Sequence, residues 1–243
     1  MPRFISRLTS QIIFFFCFIS SAPTAFADFS EADKSEIKSI IKEFIKENPI
    51  IIRDVLTQLA TKEQAERKVA ALALVKNDDG DLEIGPSDAA VTIYEFSDYN
   101  CGYCKRIFND LQAILAEQPD VRLVVKEFPI LAETSVLAAK AAIAAQRQGK
   151  FRQFHISMMT WRGKIDADAI DAAVQDAGLD NNRLRKDMED ELTAAILSKT
   201  RAAAAALEVR GTPALIIGET IIPGAISKNE ILDLINQTRA AKN

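Results

Sequence analysis

Apolar residues change their spacing several times along the chain, and each change marks an element. Ile37, Ile40, Ile41, Phe44 and Ile45 recur at intervals of three and four, the spacing of one helix face, with Asp33 or Ser35 available as caps. Asn48-Pro49 interrupts the pattern, and Pro49 suits the first turn of a second helix, along which Ile52, Val55, Leu56 and Leu59 continue the stripe. Thr61 to Lys68 is almost wholly polar before Val69, Leu72 and Val75 return. Two such helices without a third layer cannot bury their apolar face, so they pack on the main domain or meet copies of themselves. Residues 77–89, with Asp78-Asp79-Gly80-Asp81 and Gly85-Pro86-Ser87-Asp88, read as a polar linker and a domain boundary.

Beyond it the period switches to strands. Val91–Phe96 and Val121–Phe128 are rich in β-branched and aromatic residues. Between them Gly102 to Glu117 presents Ile107, Phe108, Leu111, Ile114 and Leu115 on one side. This is a βαβ unit with parallel strands. Residues 133–207 then read as a helical block: Ala138–Gln148, a short helix holding Phe151, Phe154, Ile156 and Met159, then Asp166–Ala177, and a long, bent helix from Asn182 to Leu207. Ala214–Ile217 and Glu219–Ile222 flank Gly218 as a hairpin, and Ser227 opens a closing helix. The order β-α-β, helices, β-β-α predicts an α/β thioredoxin-like fold over residues 90–243. A helical domain is inserted at 133–207, and a helical segment at 28–76 precedes the fold.

The 243 residues suffice for one large domain with an appendage. A net charge of −4 without a basic block argues against nucleic acid as a partner. The beginning changes the picture more. Arg3 and Arg7, the apolar run Ile12–Ile19 and Ala25-Phe26-Ala27 have the form of a signal peptide (residues 1–27) cleaved after Ala27, the alternative being a retained anchor. Cys17 would leave with it, and of three cysteines only Cys101 and Cys104 would remain in an exported, periplasmic protein.

Those two form Cys101-Gly102-Tyr103-Cys104 at a strand-to-helix turn. There, backbone N–H groups and the helix dipole favour a thiolate on Cys101. A disulfide closing so short a loop stabilises little, which favours a redox role over a structural one. Zinc needs four ligands, and a single histidine, His155, with no second cysteine pair does not supply them, so no metal or cofactor is expected. Cys101 would attack a substrate sulfur and Cys104 resolve the mixed disulfide. His155 reads as a core histidine. Tyr99, Met158, Met159 and Trp161 read as core before substrate groove.

From about residue 90 onward the chain resembles the DsbA-like family of bacterial disulfide oxidoreductases. The helices of 28–76, Phe96-Ser97-Asp98-Tyr99-Asn100-Cys101-Gly102-Tyr103-Cys104 and Lys126-Glu127-Phe128-Pro129-Ile130-Leu131 are similar to its ScsC-type branch, which carries an N-terminal oligomerisation segment. The resemblance implies a cis-proline loop at Thr212-Pro213 facing the cysteines and presenting backbone to an extended substrate. It implies that Glu95, six residues before Cys101, is the buried acid that accepts the Cys104 proton, with Lys126 as its partner; a purely structural ion pair is the alternative. Gly102-Tyr103 and Thr212 are like those of the disulfide isomerase and unlike the Pro-His and valine of the oxidase. The expected activity is therefore periplasmic disulfide isomerase or reductase on unfolded or misoxidised exported proteins, with a membrane redox partner and a homo-oligomer built by residues 28–76. A DsbA-type oxidase is the alternative, and a holdase chaperone or scaffold is the alternative from another class.

Overall fold

A computed structural model describes residues 29–241; the expected signal peptide and Cys17 lie outside the described residues. The chain divides into two compact units, the first ending at Gln58 and the second beginning at Leu59. In the first, helix α1 (Glu31–Glu47) begins at Ser30, whose hydroxyl accepts the Asp33 amide while the Asp33 carboxylate reaches back. This reciprocal box makes Ser30 the cap, and Asp33 its partner three residues in. Helix α2 (Pro49–Lys76) opens on proline, as expected. Ile40, Ile41, Phe44, Val55 and Leu56 are all more than half exposed.

The second unit is built on a mixed sheet. Strand β1 (Leu82–Ile84) pairs antiparallel with β3 (Val121–Glu127), and β2 (Val91–Ser97) pairs parallel with β3. Strand β4 (Ala214–Ile217) lies antiparallel to β2, and β5 (Thr220–Pro223) closes the order β1-β3-β2-β4-β5. The segment read as a linker is thus partly sheet. Leu82 and Ile84 point into the core and Glu83 away, the period-two pattern of a half-buried strand. Gly85 ends it at φ +120°, where a Cβ would meet the Arg122 Cα at 2.9 Å.

Helix α3 spans Gly102–Glu117. The inserted helices are α4 (Glu133–Gln146), α5 (Phe151–Thr160), α6 (Ala167–Asp176), α7 (Asn181–Met188) and α8 (Glu191–Ala206). The long helix expected from Asn182 is two: Asp190 takes the Leu192 amide at 2.9 Å and starts a new helix. A capping box at Ser227 and Glu230 opens the last helix, α9 (Lys228–Ala240).

Both faces of the sheet are covered. Val91, Ile93, Leu123, Val125, Leu215 and Ile217 bury one face among helices α3 to α6 and α9. Tyr94, Phe96, Val124, Ala214 and Ile216 bury the other against Ala203 and Ala204 of α8 and Leu72 and Val75 of α2. The end of α2 therefore belongs to the core of the second unit, and that unit starts well before residue 77.

Candidate active site

The first face of the sheet leads directly to the dithiol. Strand β2 ends at Ser97, and the turn is held by Asp98, whose carboxylate accepts the Asn100 amide at 2.8 Å and the Ile130 and Leu131 amides at 2.9 and 3.0 Å. Asn100 in turn donates to Ser135 at 2.9 Å, tying the turn to α4. Cys101 is itself the cap of α3: its sulfur accepts the Cys104 amide at 3.3 Å. Gly102 and Tyr103 stand in the open, Tyr103 58% exposed, while Cys104 is fully buried one turn on. Cys101 is itself 4% exposed, so the two sulfurs differ in their place on the helix, one at its start and one a turn on, more than in exposure.

Facing them is the cis Thr212-Pro213 peptide that precedes β4. The Cys101 Sγ lies 3.2 Å from the Thr212 carbonyl oxygen. Both cysteines are free thiols. The Cys104 thiol and the backbone amides of the first helical turn bring the Cys101 pKa down to about 6 against the opposing effect of burial. The same thiol contact, burial and the Glu95 charge push Cys104 far above the ordinary thiol range. Only one sulfur is thus a thiolate near neutrality.

Glu95 lies beneath the pair on β2 and is 2% exposed. Burial raises its pKa to about 8, the charge on Cys101 adding to the effect and the neighbouring Ser97 opposing it. A carboxyl that changes charge near neutrality, with no partner for Oε1, is suited to take and return a proton.

Lys126 does not join it. In the parallel register Glu95 lies opposite Val125 and Phe96 opposite Lys126, so the lysine projects from the other face of the sheet. There it pairs with buried Asp81, whose other oxygen meets Lys199 at 3.1 Å, and it lies 5.5 Å from the Tyr94 ring centre. The expected Glu95–Lys126 couple is replaced by a structural cluster that fastens residues 77–81 to the sheet. The acid that shares the Glu95 face is Glu127, 2% exposed, whose pKa burial raises well above the carboxylate range, with the Asp98 and Glu95 charges reinforcing it. The Tyr99 hydroxyl, in the turn between β2 and α3, lies 3.0 Å from the Nδ1 of His155 on α5. His155 is completely buried, and burial lowers its pKa to about 3. Tyr99, Met158 and Met159 are core, and Trp161 packs at its margin with its carbonyl accepting Lys105.

A thioredoxin-like sheet that sets a dithiol at a helix start against a cis-proline loop defines a thiol–disulfide oxidoreductase. A DSBA-like thioredoxin domain model matches residues 92–236, and the chain belongs to that family. A thioredoxin-like oxidoreductase from Silicibacter pomeroyi is 35% identical with a TM-score of 0.67, the match covering 69% of this chain and 96% of that one. ScsC of Proteus mirabilis in a transitional conformation is 26% identical with a TM-score of 0.66, over 88% of this chain and 99% of that one. The chain also matches part of a Na(+)/H(+) antiporter, NhaA 3 of Salinispora tropica, at 26% identity. That match covers 63% of this chain but only 24% of the antiporter, so the chain spans about a quarter of that relative's length.

Proposed function

We propose that the protein is a periplasmic disulfide isomerase or reductase acting on unfolded or misoxidised exported proteins. The Cys101 thiolate attacks one sulfur of a substrate disulfide, a bond forms between Cys101 and that sulfur, and the other substrate sulfur leaves as a thiolate. The released thiolate can then exchange with other disulfides of the substrate. A substrate thiolate finally attacks the sulfur bonded to Cys101, forming a new substrate disulfide and expelling Cys101 as a thiolate; this is isomerisation, with no net change of redox state. Alternatively, Cys104 gives its proton to Glu95 and attacks Cys101; the protein sulfurs become a disulfide, and the substrate leaves reduced by two electrons. A membrane redox partner that returns those electrons completes the cycle.

The observation that carries the isomerase reading is the open Gly102-Tyr103 pair together with Thr212 against Cys101. Neither residue between the cysteines carries an imidazole, and His155 is held neutral in the core, so the Cys101 thiolate is favoured by the Cys104 thiol and the helix amides and not by a histidine. The exposed stripe Ile37 to Leu59 supports a homo-oligomer through residues 28–76, in which several dithiols would share one client. One observation favours the oxidase reading instead: a Cys101 pKa of about 6 stabilises the reduced form and so makes the disulfide more oxidising.

The deciding experiment is refolding of scrambled ribonuclease. The reduced protein should restore activity. Failure to do so, alongside rapid oxidation of reduced ribonuclease, selects the oxidase; restored activity that persists in Cys101→Ser leaves only the scaffold.

A further inference from the structure

The open dipeptide between the cysteines holds a cation. Tyr103 is 58% exposed, and the guanidinium carbon of Arg106 lies 4.7 Å from the centre of its ring. Arg106 follows three residues later on α3, so the two side chains share one face of the helix. Its neighbour Lys105 is occupied elsewhere, donating to the Trp161 carbonyl at 3.0 Å.

The helix by itself would place that charge differently. Its ordinary partner is Asp110, four residues on, and the positive end of the helix dipole at Gly102 repels a cation. Arg106 and Asp110 line one hollow, together with Ile226 and with Glu230 of α9. Yet among the described residues no carboxylate forms an ion pair with Arg106. Glu230 is spent on capping α9, where it accepts the Ser227 amide at 2.9 Å. The guanidinium is drawn back toward the start of α3 because a flat cation over an aromatic face gains more than an exposed pair four residues apart. The Cys101 thiolate draws on the Cys104 thiol, Thr212 and the helix amides, so this charge is left to act on whatever approaches the turn.

We propose that Arg106, held by the Tyr103 ring, is a specificity-determining residue that selects substrate disulfides with a carboxylate beside the attacked cysteine. The inference rests on the oxidoreductase reading of the dithiol and names the substrates that this dithiol prefers. The exchange itself is unaltered. The Cys101 thiolate attacks one substrate sulfur, a bond forms between them as the substrate disulfide breaks, and the second sulfur leaves as a thiolate. Cys104 then gives up its proton and displaces the first sulfur, so the protein dithiol loses the two electrons that the substrate gains. A carboxylate on the substrate brings a second negative charge up to a thiolate, which slows approach unless a cation answers it. Arg106 turns that penalty into a preference, and a substrate lysine meets like charge instead. Tyr103 is the positioning residue and acts on selection through Arg106.

The test follows oxidation of the reduced full chain at pH 7 by three peptide disulfides that differ only in an Asp, Asn or Lys beside the cysteine. In about 10 mM salt the Asp peptide should react about tenfold faster than the Lys peptide, and in about 1 M salt the ratio should fall to about twofold. Arg106→Gln should bring the low-salt ratio below about threefold, the remainder coming from Lys105 and the helix start. Tyr103→Ala should do the same with the arginine still present, because the guanidinium is then free to turn to Asp110. Tyr103→Phe keeps the ring face and should keep the ratio. Both side chains lie at the surface, so these changes leave the core untouched. An unchanged ratio in Arg106→Gln would overturn the proposal, as would an equal loss of rate with all three peptides, the mark of a weakened thiolate. A ratio kept in Tyr103→Ala would refute the holding role of the ring. Exchange without preference in the wild type refutes the selection and leaves the oxidoreductase reading standing. A wild type that none of the three peptides oxidises sinks that reading, and the selection with it.

Discussion

The chemistry of this site rests on how differently two cysteines three residues apart are treated. The contact between the two sulfurs lowers the pKa of Cys101, with the helix amides adding to the effect, and raises that of Cys104, with burial and the Glu95 charge adding to it. Alkylation of the reduced protein by iodoacetamide should therefore titrate at one cysteine with a midpoint near pH 6. The depressed pKa also has a stability consequence. Between about 6 and the ordinary thiol value of 9 the unfolded chain binds a proton that the folded one does not. The reduced protein should thus gain stability relative to the oxidised one as pH rises across that window, and lose the gain as pH falls through 6. Thermal melts of both redox forms from pH 5 to pH 9 check the sign.

Glu95 behaves oppositely. Its folded pKa lies above the unfolded value, so its contribution is intact below about 4.5 and is lost as pH rises through 8. Glu95→Gln should melt higher than wild type by a margin that grows from pH 4.5 to pH 8 and then levels off, and it should resolve mixed disulfides about 100-fold more slowly. Cys101, Cys104, Glu95, Thr212 and Pro213 were legible because each sits at a fixed offset in a recognisable motif. The choice between Lys126 and Glu127 was not, since adjacent strand residues face opposite ways and only the register of β2 on β3 says which is which.

Among the elements, the one the sequence concealed is β1. Three residues between turn formers carry too little periodicity to announce a strand, and its anchor, Asp81, reads as one more acid in a polar run. Its partner is fully buried, and removing the acid leaves an uncompensated charge inside the protein. Asp81→Ala should cost about 3–5 kcal/mol in urea unfolding, whereas replacing Asp81 and Lys126 together by leucine and methionine should recover most of it. The break between α7 and α8 was hidden for a related reason: helical periodicity runs through residues 182–207 almost undisturbed, and the interruption comes from Asp190 competing locally for backbone amides. By contrast α3, bounded by the cysteine turn and Gln118-Pro119, was legible to the residue.

For the whole molecule, the boundary that matters lies inside α2. A chain beginning after Gln58 keeps Leu72 and Val75 and should melt as the full protein's second unit does; one beginning after Lys76 loses both from the core and should melt lower. Light scattering on the first truncation also tests the oligomer, because removal of the exposed stripe should leave a monomer, and an unchanged mass would refute assembly through those helices. Composition could indicate that the stripe needs cover, but not what covers it.

The sheet has a further role in this arrangement. Its redox face holds the two thiols with Glu95 and Glu127, while Lys126, Asp81 and Lys199 settle their charges on the reverse. The strands act as an insulating partition between two circuits. Helix α8 reaches both cores, through Ile196 and Leu197 on one side and Ala203 and Ala204 on the other, whereas Leu72 and Val75 of α2 belong to the reverse-face core. An N-terminal segment that preserves those two contacts can therefore be exchanged, in evolution or by design, without touching the core that holds the cysteines.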